Sequence, residues 1–480
     1  MSDDVLTELE RDTAPEAGAG FLDLVAGYFT ETRAGEGPVS TTLTPEEIAA
    51  RFDEPLPREG RPLEEVVERL RRDLLSDSNR LYHPRYVGHQ VSPPLPAAVW
   101  TEMVIGALNQ SVAVWEMSPV ATMVEHRVVR WMADLAGFGP DAGGTLTSGG
   151  TEATFTALLA ARNAALPDAW ENGVGADPPV VLYGEHAHYA VTRALGELGL
   201  GLRSGIPIPS RGFGMDVEAL RAALDAQERA GRRVMAVVAT AGSTATGSFD
   251  DLRAIGEECE RRGVWLHVDG AHGASALLSS RHRGRLDGLH MARSIAWDPH
   301  KMMLLPLSAG MVLVRDRGDL ERAFAQRAPY LFHGGAVDQG VRSFMCSRRA
   351  DVLKLWVALQ RYGADGIGRV YDGLCDVARA FRGMIGERRD FEALHDPECN
   401  ILCFRYLGSG GAGSRSDAEV DALNRTLRPA YNRSGAGWVT ATVLEGRPVL
   451  RVTVMNPRTT VGDMRAVLEG LAAEGRRLEG

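Results

Sequence analysis

From residue 143 to residue 314, short β-branched and apolar runs alternate with longer stretches whose apolar positions recur every three or four residues. The first pattern predicts strands at 144–147, 180–183, 234–240, 264–268, 294–297 and 309–314. The second predicts helices at 151–166, 189–198, 217–229 and 251–262. Such alternation argues for an α/β domain with a mostly parallel sheet covered by helices on both faces. Ligands of such a sheet gather at the carboxyl ends of its strands. Upstream, amphipathic stretches at 21–32 and 63–75 are broken by Gly/Pro-rich segments. The polar, proline-rich stretch 83–94 then reads as a binding loop, followed by apolar helices at 97–108 and 121–135. Downstream, helices at 352–362 and 371–386 lead to strands at 401–406, 439–444 and 449–454 and helices at 418–430 and 461–474, a smaller α+β part. The expected division is an N-terminal arm over 1–95, a large domain over 96–362 and a small C-terminal domain over 363–480.

Composition narrows the function. The 480 residues carry 63 acidic and 53 basic side chains, a net charge of −10, and no dense basic block. A nucleic-acid or anionic-membrane surface is therefore not expected, and small-molecule chemistry is. The first ten residues lack the basic and apolar regions of a signal peptide, and no run is long and apolar enough to span a bilayer, so a cytoplasmic protein is expected. Five cysteines, at 259, 346, 375, 399 and 403, form one close pair without a second pair or a histidine cluster at zinc spacing. They read as reduced thiols, with no metal site.

Candidate chemistry centres on Lys301, set in the apolar run 294–314 on the connection between two predicted strands. Either it is a snorkelling lysine at a strand end, or it is a desolvated amine of the kind that forms a Schiff base with an aldehyde such as pyridoxal phosphate. Ser148-Gly-Gly-Thr-Glu152 lies between a strand and a strong helix, where Ser148, Gly149, Gly150 and Thr151 could cradle a phosphate or simply start a helix. Asp269, just beyond an apolar strand, must find a cationic partner, which a protonated pyridine nitrogen would supply; capping the next turn is the plain alternative. His188 follows the strand ending at Tyr183, placed either to cover a flat ring or to serve as a surface residue. One cofactor explains all four features in their order along one α/β domain.

Thr147-Ser-Gly-Gly-Thr-Glu-Ala153, Ala187-His188, Ala239-Thr-Ala-Gly-Ser-Thr244, His267-Val-Asp-Gly-Ala271 and Asp298-Pro-His-Lys301 together resemble the signature segments of the group II pyridoxal-phosphate-dependent amino-acid decarboxylases, in particular those acting on glutamate, cysteine sulfinate and 2,4-diaminobutyrate. His83-Pro-Arg-Tyr86, Glu116-Met-Ser-Pro119, Tyr330-Leu-Phe332 and Lys354-Leu-Trp356 extend the likeness over roughly residues 80–360. The resemblance implies the fold type I, aspartate-aminotransferase-like architecture, pyridoxal 5′-phosphate as cofactor, an amino-acid substrate and a homodimer. It makes Lys301 the Schiff-base lysine, Asp269 the pyridinium partner, His188 the residue stacked on the ring and Ala271 the contact on its other face. Gly149, Gly150 and His300 match phosphate-side positions, and Thr240 matches a threonine near the ring edge. Asp298 stands where some relatives have Asn, and its role stays open because a carboxylate beside a phosphate is repulsive.

The reaction implied is decarboxylation of a small acidic or basic L-amino acid to an amine. Arg451 resembles an arginine that meets a substrate carboxylate, with an outward-facing strand arginine as the alternative, and Gln90 and His89 are further candidates for the substrate. The family carries a tyrosine on the loop after Tyr-Leu-Phe as proton donor. The corresponding stretch 331–343 has none, so His333 is expected to replace it, with His188 as second choice. The missing tyrosine keeps other outcomes open: decarboxylation-dependent oxidative deamination, transamination or β-elimination. A binding protein on the same fold would not need lysine, aspartate and histidine together.

Overall fold

The structure is a computed structural model and describes residues 3–324, 328, 332 and 337–480. The chain forms two compact units, one of residues 90–379 and 395–402, the other of residues 1–89, 380–394 and 403–480. Among the described residues, no helix is long and apolar enough to cross a membrane.

The first unit is built on a seven-stranded sheet. Its strands are β1 (Gly143–Thr147), β2 (Val180–Gly184), β3 (Gly205–Ile208), β4 (Val234–Thr240), β5 (Trp265–Asp269), β6 (Ser294–Trp297) and β7 (Gly310–Val314), in the order β1-β7-β6-β5-β4-β2-β3. β7 runs antiparallel to β1 and β6, and the other four pairings are parallel. β1 therefore points the same way as β4, β5 and β6. The turn after each of them emerges at one edge of the sheet, where Thr240 pairs with Asp269 and Asp269 with Ala296.

Burial follows from composition. β5, β6 and β7 are buried along their whole length, as strands covered on both faces must be. Helix α1 (Pro96–Leu108) and helix α2 (Pro119–Leu135) precede β1. Helix α3 (Gly150–Ala165) follows it, and its Ala153 and Ala157 join Ala296, Val312, Val314 and Leu320 in one core cluster. Small side chains let this helix lie close to the sheet. The approach is tightest at Gly310, where a Cβ would stand 2.5 Å from the Gly149 Cα, so only glycine fits.

Three local features depart from the expected pattern. β3 was not anticipated, because it is short and contains Pro207; it pairs only with β2, and an edge strand tolerates the missing donor. β5 ends one residue later than predicted, which makes Asp269 its last residue. The two helices expected at 352–362 and 371–386 form the segment α4 (Val352–Gly386), two helices that meet at a kink at Gly363 with φ 70°, the second beginning ahead of the predicted 371. Its glycine-rich middle serves packing, since a Cβ on Gly368 would collide with the Leu278 carbonyl.

The second unit holds a four-stranded sheet of β8 (Phe391–Ala393), β9 (Ile401–Tyr406), β10 (Thr440–Leu444) and β11 (Arg447–Thr453), in the order β8-β9-β11-β10. Its helices Asp417–Arg433 and Val461–Glu479 both begin with capping boxes, Ser416 with Glu419 and Thr460 with Asp463. The segment carrying His89 is tied to this unit by backbone bonds, Val87 N donating to Trp438 O and Thr453 N to Val87 O.

Candidate active site

Every residue expected on the cofactor side lines one cavity of about 380 Å³ in the first unit, and so does Gln90. The turns after β1, β4, β5 and β6 supply most of its wall. Ser148 leaves β1 and uses both its backbone N–H and its hydroxyl to bond Glu152. Gly149 and Gly150 follow and open α3, whose first N–H groups have no partner within the helix. A Cβ on Gly150 would lie 2.9 Å from the Ala271 Cβ and 3.0 Å from Asp298 Oδ2; one on Gly149 would lie 3.2 Å from the His300 Cε1. The two glycines thus keep open a cradle that any side chain would narrow.

Asp269 closes β5. It is buried, and its Oδ1 accepts from the Ala271 N–H at 3.1 Å, which leaves further acceptor capacity on the carboxylate. Thr240, beside it in the sheet, has a buried hydroxyl with no hydrogen-bond partner among the described residues. His188 is half-buried, and its Nδ1 accepts from Ala190 N at 3.2 Å, so the neutral ring carries its proton on Nε2. Burial pushes His188 below its ordinary value. Asp269 and Asp298 oppose that push, while Lys301 adds to it.

Lys301 lies in the turn after β6, with a fifth of its side chain exposed and its Nζ 3.2 Å from Asp298 Oδ2. His300 Nε2 stands 3.4 Å from the same oxygen, while its Nδ1 accepts from Ala309 N at 3.0 Å. Burial alone would raise the Asp298 carboxyl. The Lys301 charge and His300 outweigh it, with help from the Gly150 N–H, and hold Asp298 at about 2. The repulsion expected between Asp298 and a phosphate is therefore met by two adjacent nitrogen groups. Asp298 Oδ1 is buried and has no hydrogen-bond partner among the described residues.

These features fit pyridoxal phosphate. The open glycine turn at a helix start suits its phosphate, the buried Thr240 hydroxyl and Asp269 carboxylate suit polar groups on its ring, and Lys301 suits its aldehyde. Gly242, Thr244, His272 and Leu307 also line the cavity; the first two lie in the Ala239–Thr244 segment without an assigned role, and the other two were not singled out from the sequence. His272, buried and three residues after Asp269, bonds Asn400 Oδ1 through its Nε2 at 2.7 Å.

His89 and Arg451 belong to the second unit. There the Tyr86 hydroxyl is 2.9 Å from His89 Nδ1, and the buried Arg451 donates from Nε to the Thr440 hydroxyl at 3.2 Å. Burial pushes His89 down, and the charges of Arg451 and Arg428 push the same way. His333 lies outside the described residues.

Residues 45–407 match the family model described as the pyridoxal-dependent decarboxylase conserved domain. The chain is 34% identical over 432 residues to the L-2,4-diaminobutyrate decarboxylase of Rhizobium meliloti, covering 89% of this chain and 85% of that protein. It is 33% identical over 393 residues to the cysteine sulfinic acid decarboxylase of Mus musculus, covering 80% and 79%. Among solved structures, mouse CSAD in its apo form superposes with a TM-score of 0.90 at 29% identity, covering 96% of this chain and all of that one.

Proposed function

Since this chain belongs to the pyridoxal-dependent decarboxylase family, and so removes the carboxyl group of an amino acid with pyridoxal 5′-phosphate as cofactor, we propose that Lys301 carries that cofactor and that Asp269, His188 and the turn 148–151 hold it. The observation that carries this reading is their convergence, from four separate strand ends, on one cavity. Gly149, Gly150 and the start of α3 bind the phosphate, with Ser148, Thr151, His300 and Asp298 around it. Thr240 would bond the ring, and His188 and Ala271, which line the same cavity, would lie against it.

Bound pyridoxal phosphate would supply an electron-accepting ring for the electron pair left on the substrate carbon when CO₂ departs. Asp269 holds a proton on the ring nitrogen, its negative charge favouring the cationic ring. Once CO₂ has left, a proton must reach the carbon that lost it. His333 is the proposed donor, tested by His333→Phe, where an unchanged rate and amine yield would remove it from the mechanism. His188, which lines the cavity and whose neutral ring carries its proton on Nε2, is the second choice.

The substrate we propose is a small amino acid with a charged side chain, as relatives named for diaminobutyrate, cysteine sulfinate and aspartate suggest. Arg451, His89 and Gln90 are the proposed substrate contacts. A panel of acidic, basic and aromatic amino acids assayed for CO₂ and amine, in air and without oxygen, tests both the substrate and simple amine formation; aldehyde with oxygen uptake would point to the oxidative outcome. If Arg451→Ala left KM and kcat unchanged for the best substrate, Arg451 would be dropped. A homodimer is part of the proposal, supported by the exposed Trp100, Met103, Val104 and Leu108 on α1 and Val120 and Met123 on α2. Sedimentation of the holoenzyme as a monomer would reject it. Five cysteines without a disulfide support a reducing compartment such as the cytoplasm, which cell fractionation tests.

A further inference from the structure

Of the 53 basic residues in this chain only two are lysines, Lys301 and Lys354. Wherever else a cation is used the chain supplies arginine, so each lysine marks a place where a compact ammonium does what a planar guanidinium does not. Lys301 faces the cavity. Lys354, in the first turn of α4, faces no solvent at all.

A fully buried ammonium is costly unless its partners are in place. Here Nζ lies 2.9 Å from Glu102 Oε1 and 3.0 Å from Asp351 Oδ1, and it donates to the carbonyl oxygens of Ser308 at 2.7 Å and Pro306 at 3.3 Å. Four oxygens surround three N–H donors. Arg349 pairs with the other oxygen of Glu102, so two cations balance two carboxylates. Burial would raise Glu102, but its bonds to Lys354 and Arg349 bring it below the ordinary carboxylate range.

The two carbonyls flank a single residue, Leu307. Its side chain is 61% exposed and is the one large apolar group lining the cavity among the described residues. The same loop is closed further out, where His300 N donates to Ala309 O at 3.1 Å and Ala309 N returns a bond to His300 Nδ1. Lys301 and Leu307 thus sit on opposite limbs of one loop, which Lys354 pins beside the leucine. An exposed leucine by itself says little. A leucine whose peptide neighbours are both held by a buried charge has its place specified.

We propose that Lys354 is a positioning residue for substrate selection: its ammonium sets the Pro306–Ser308 turn so that Leu307 stands at the cavity mouth and discriminates between substrate side chains by their length and width. The inference rests on the decarboxylase reading. A guanidinium at position 354 would present a flat fork in place of a compact point charge and could not hold the same two carbonyls and two carboxylates together.

The test uses holoenzyme with Leu307→Ala, Lys354→Arg and the double variant, assayed on L-aspartate, L-glutamate, L-cysteine sulfinate, L-2,4-diaminobutyrate and L-phenylalanine. Leu307→Ala should change the ratio of kcat/KM between the two best substrates by about 10-fold or more. Lys354→Arg should move that ratio in the same sense, and the double variant should move it no further than Leu307→Ala alone. Cofactor absorbance per chain should stay constant throughout. The proposal is overturned if Leu307→Ala leaves every ratio within about twofold, or if Lys354→Arg lowers all substrates by one common factor, as a purely structural role would. A change of oligomeric state with the ratios intact would overturn it too, assigning Leu307 to a subunit contact. Should Lys354→Arg not fold, Glu102→Gln loosens the same clamp and is judged by the same outcomes. If the unaltered protein binds pyridoxal phosphate but releases CO₂ from none of the panel, the decarboxylase reading fails instead. The absorbance change on adding each amino acid then still ranks the panel and judges Leu307 and Lys354.

Discussion

The turn that carries Lys301 and the start of α4 that carries Lys354 put the same side chain to opposite uses. Around Lys301 one carboxylate stands at 3.2 Å and part of the side chain opens on a cavity. Around Lys354 two carboxylates and two carbonyls take up the ammonium and no surface remains. A lysine with every donor engaged can only hold its surroundings. One with a single partner and an open side can bond to a carbonyl compound that enters. The difference shows that partners and access, rather than burial alone, separate a reactive lysine from a structural one.

The most direct way to break this comparison is chemical. Borohydride reduction of the holoenzyme with peptide mapping is expected to label Lys301 and spare Lys354, and Lys301→Ala is expected to lower kcat by at least about 10³-fold. Label on Lys354, or near-normal turnover without Lys301, would end the distinction. Stability reverses the ranking. Lys354→Met removes the fully buried cation that Glu102 and Asp351 share and leaves them only the half-exposed Arg349, so it should cost about 3–5 kcal/mol in urea unfolding of the apoprotein. Lys301→Met should cost less, because Asp298 keeps His300 and the Gly150 N–H. Equal losses would mean that both lysines are structural.

Acid sharpens the Lys301 side of the comparison. Asp298 sits at about 2 in the folded protein, below its ordinary 3.8. A depressed carboxylate contributes its stability in full above the unfolded value and loses it as the pH falls toward the folded one. About 2 kcal/mol should therefore disappear between pH 3.8 and about 2, and Asp298→Asn should flatten that part of the apoprotein's unfolding profile. An unaltered profile would show that Asp298 is not the ionised partner of Lys301. The smallest effect is steric. Gly150→Ala places a methyl group against Ala271 and Asp298 and should weaken cofactor binding by about 1–3 kcal/mol, read as a raised dissociation constant for pyridoxal phosphate. Unchanged affinity would remove the glycine cradle from the phosphate site.

Much of the large sheet was legible because its strands are continuous apolar runs. Predicted and observed bounds coincide for β4 and β6, and Asp269 was displaced by a single residue. β3 was missed because Pro207 argues against a strand unless the strand's place at the sheet edge is known. The helix expected from 371 begins just after the kink at Gly363, because Gly368 in its early part serves a close approach to Leu278 that local periodicity does not show. Leu307 carried no local signal at all. Lys354 did carry one, its rarity among the basic residues, but its partners Glu102, Pro306 and Ser308 are far from it in the chain.

What the sequence determined by itself is what neighbouring residues encode: the strand and helix periods, the Ser148-Gly-Gly-Thr151 turn before a helix, and a lysine set in an apolar run between strands. The tertiary structure decided which of these meet. Because β7 runs antiparallel between β1 and β6, the turn at 148–150 emerges at the same sheet edge as Thr240, Asp269 and Lys301, and one cavity forms there. It also decided that one lysine opens on that cavity while the other is sealed against Glu102, Asp351 and two loop carbonyls. Local periodicity depends on residues a few positions apart, whereas strand pairing, burial and the partners of a charge depend on segments brought together only when the chain folds.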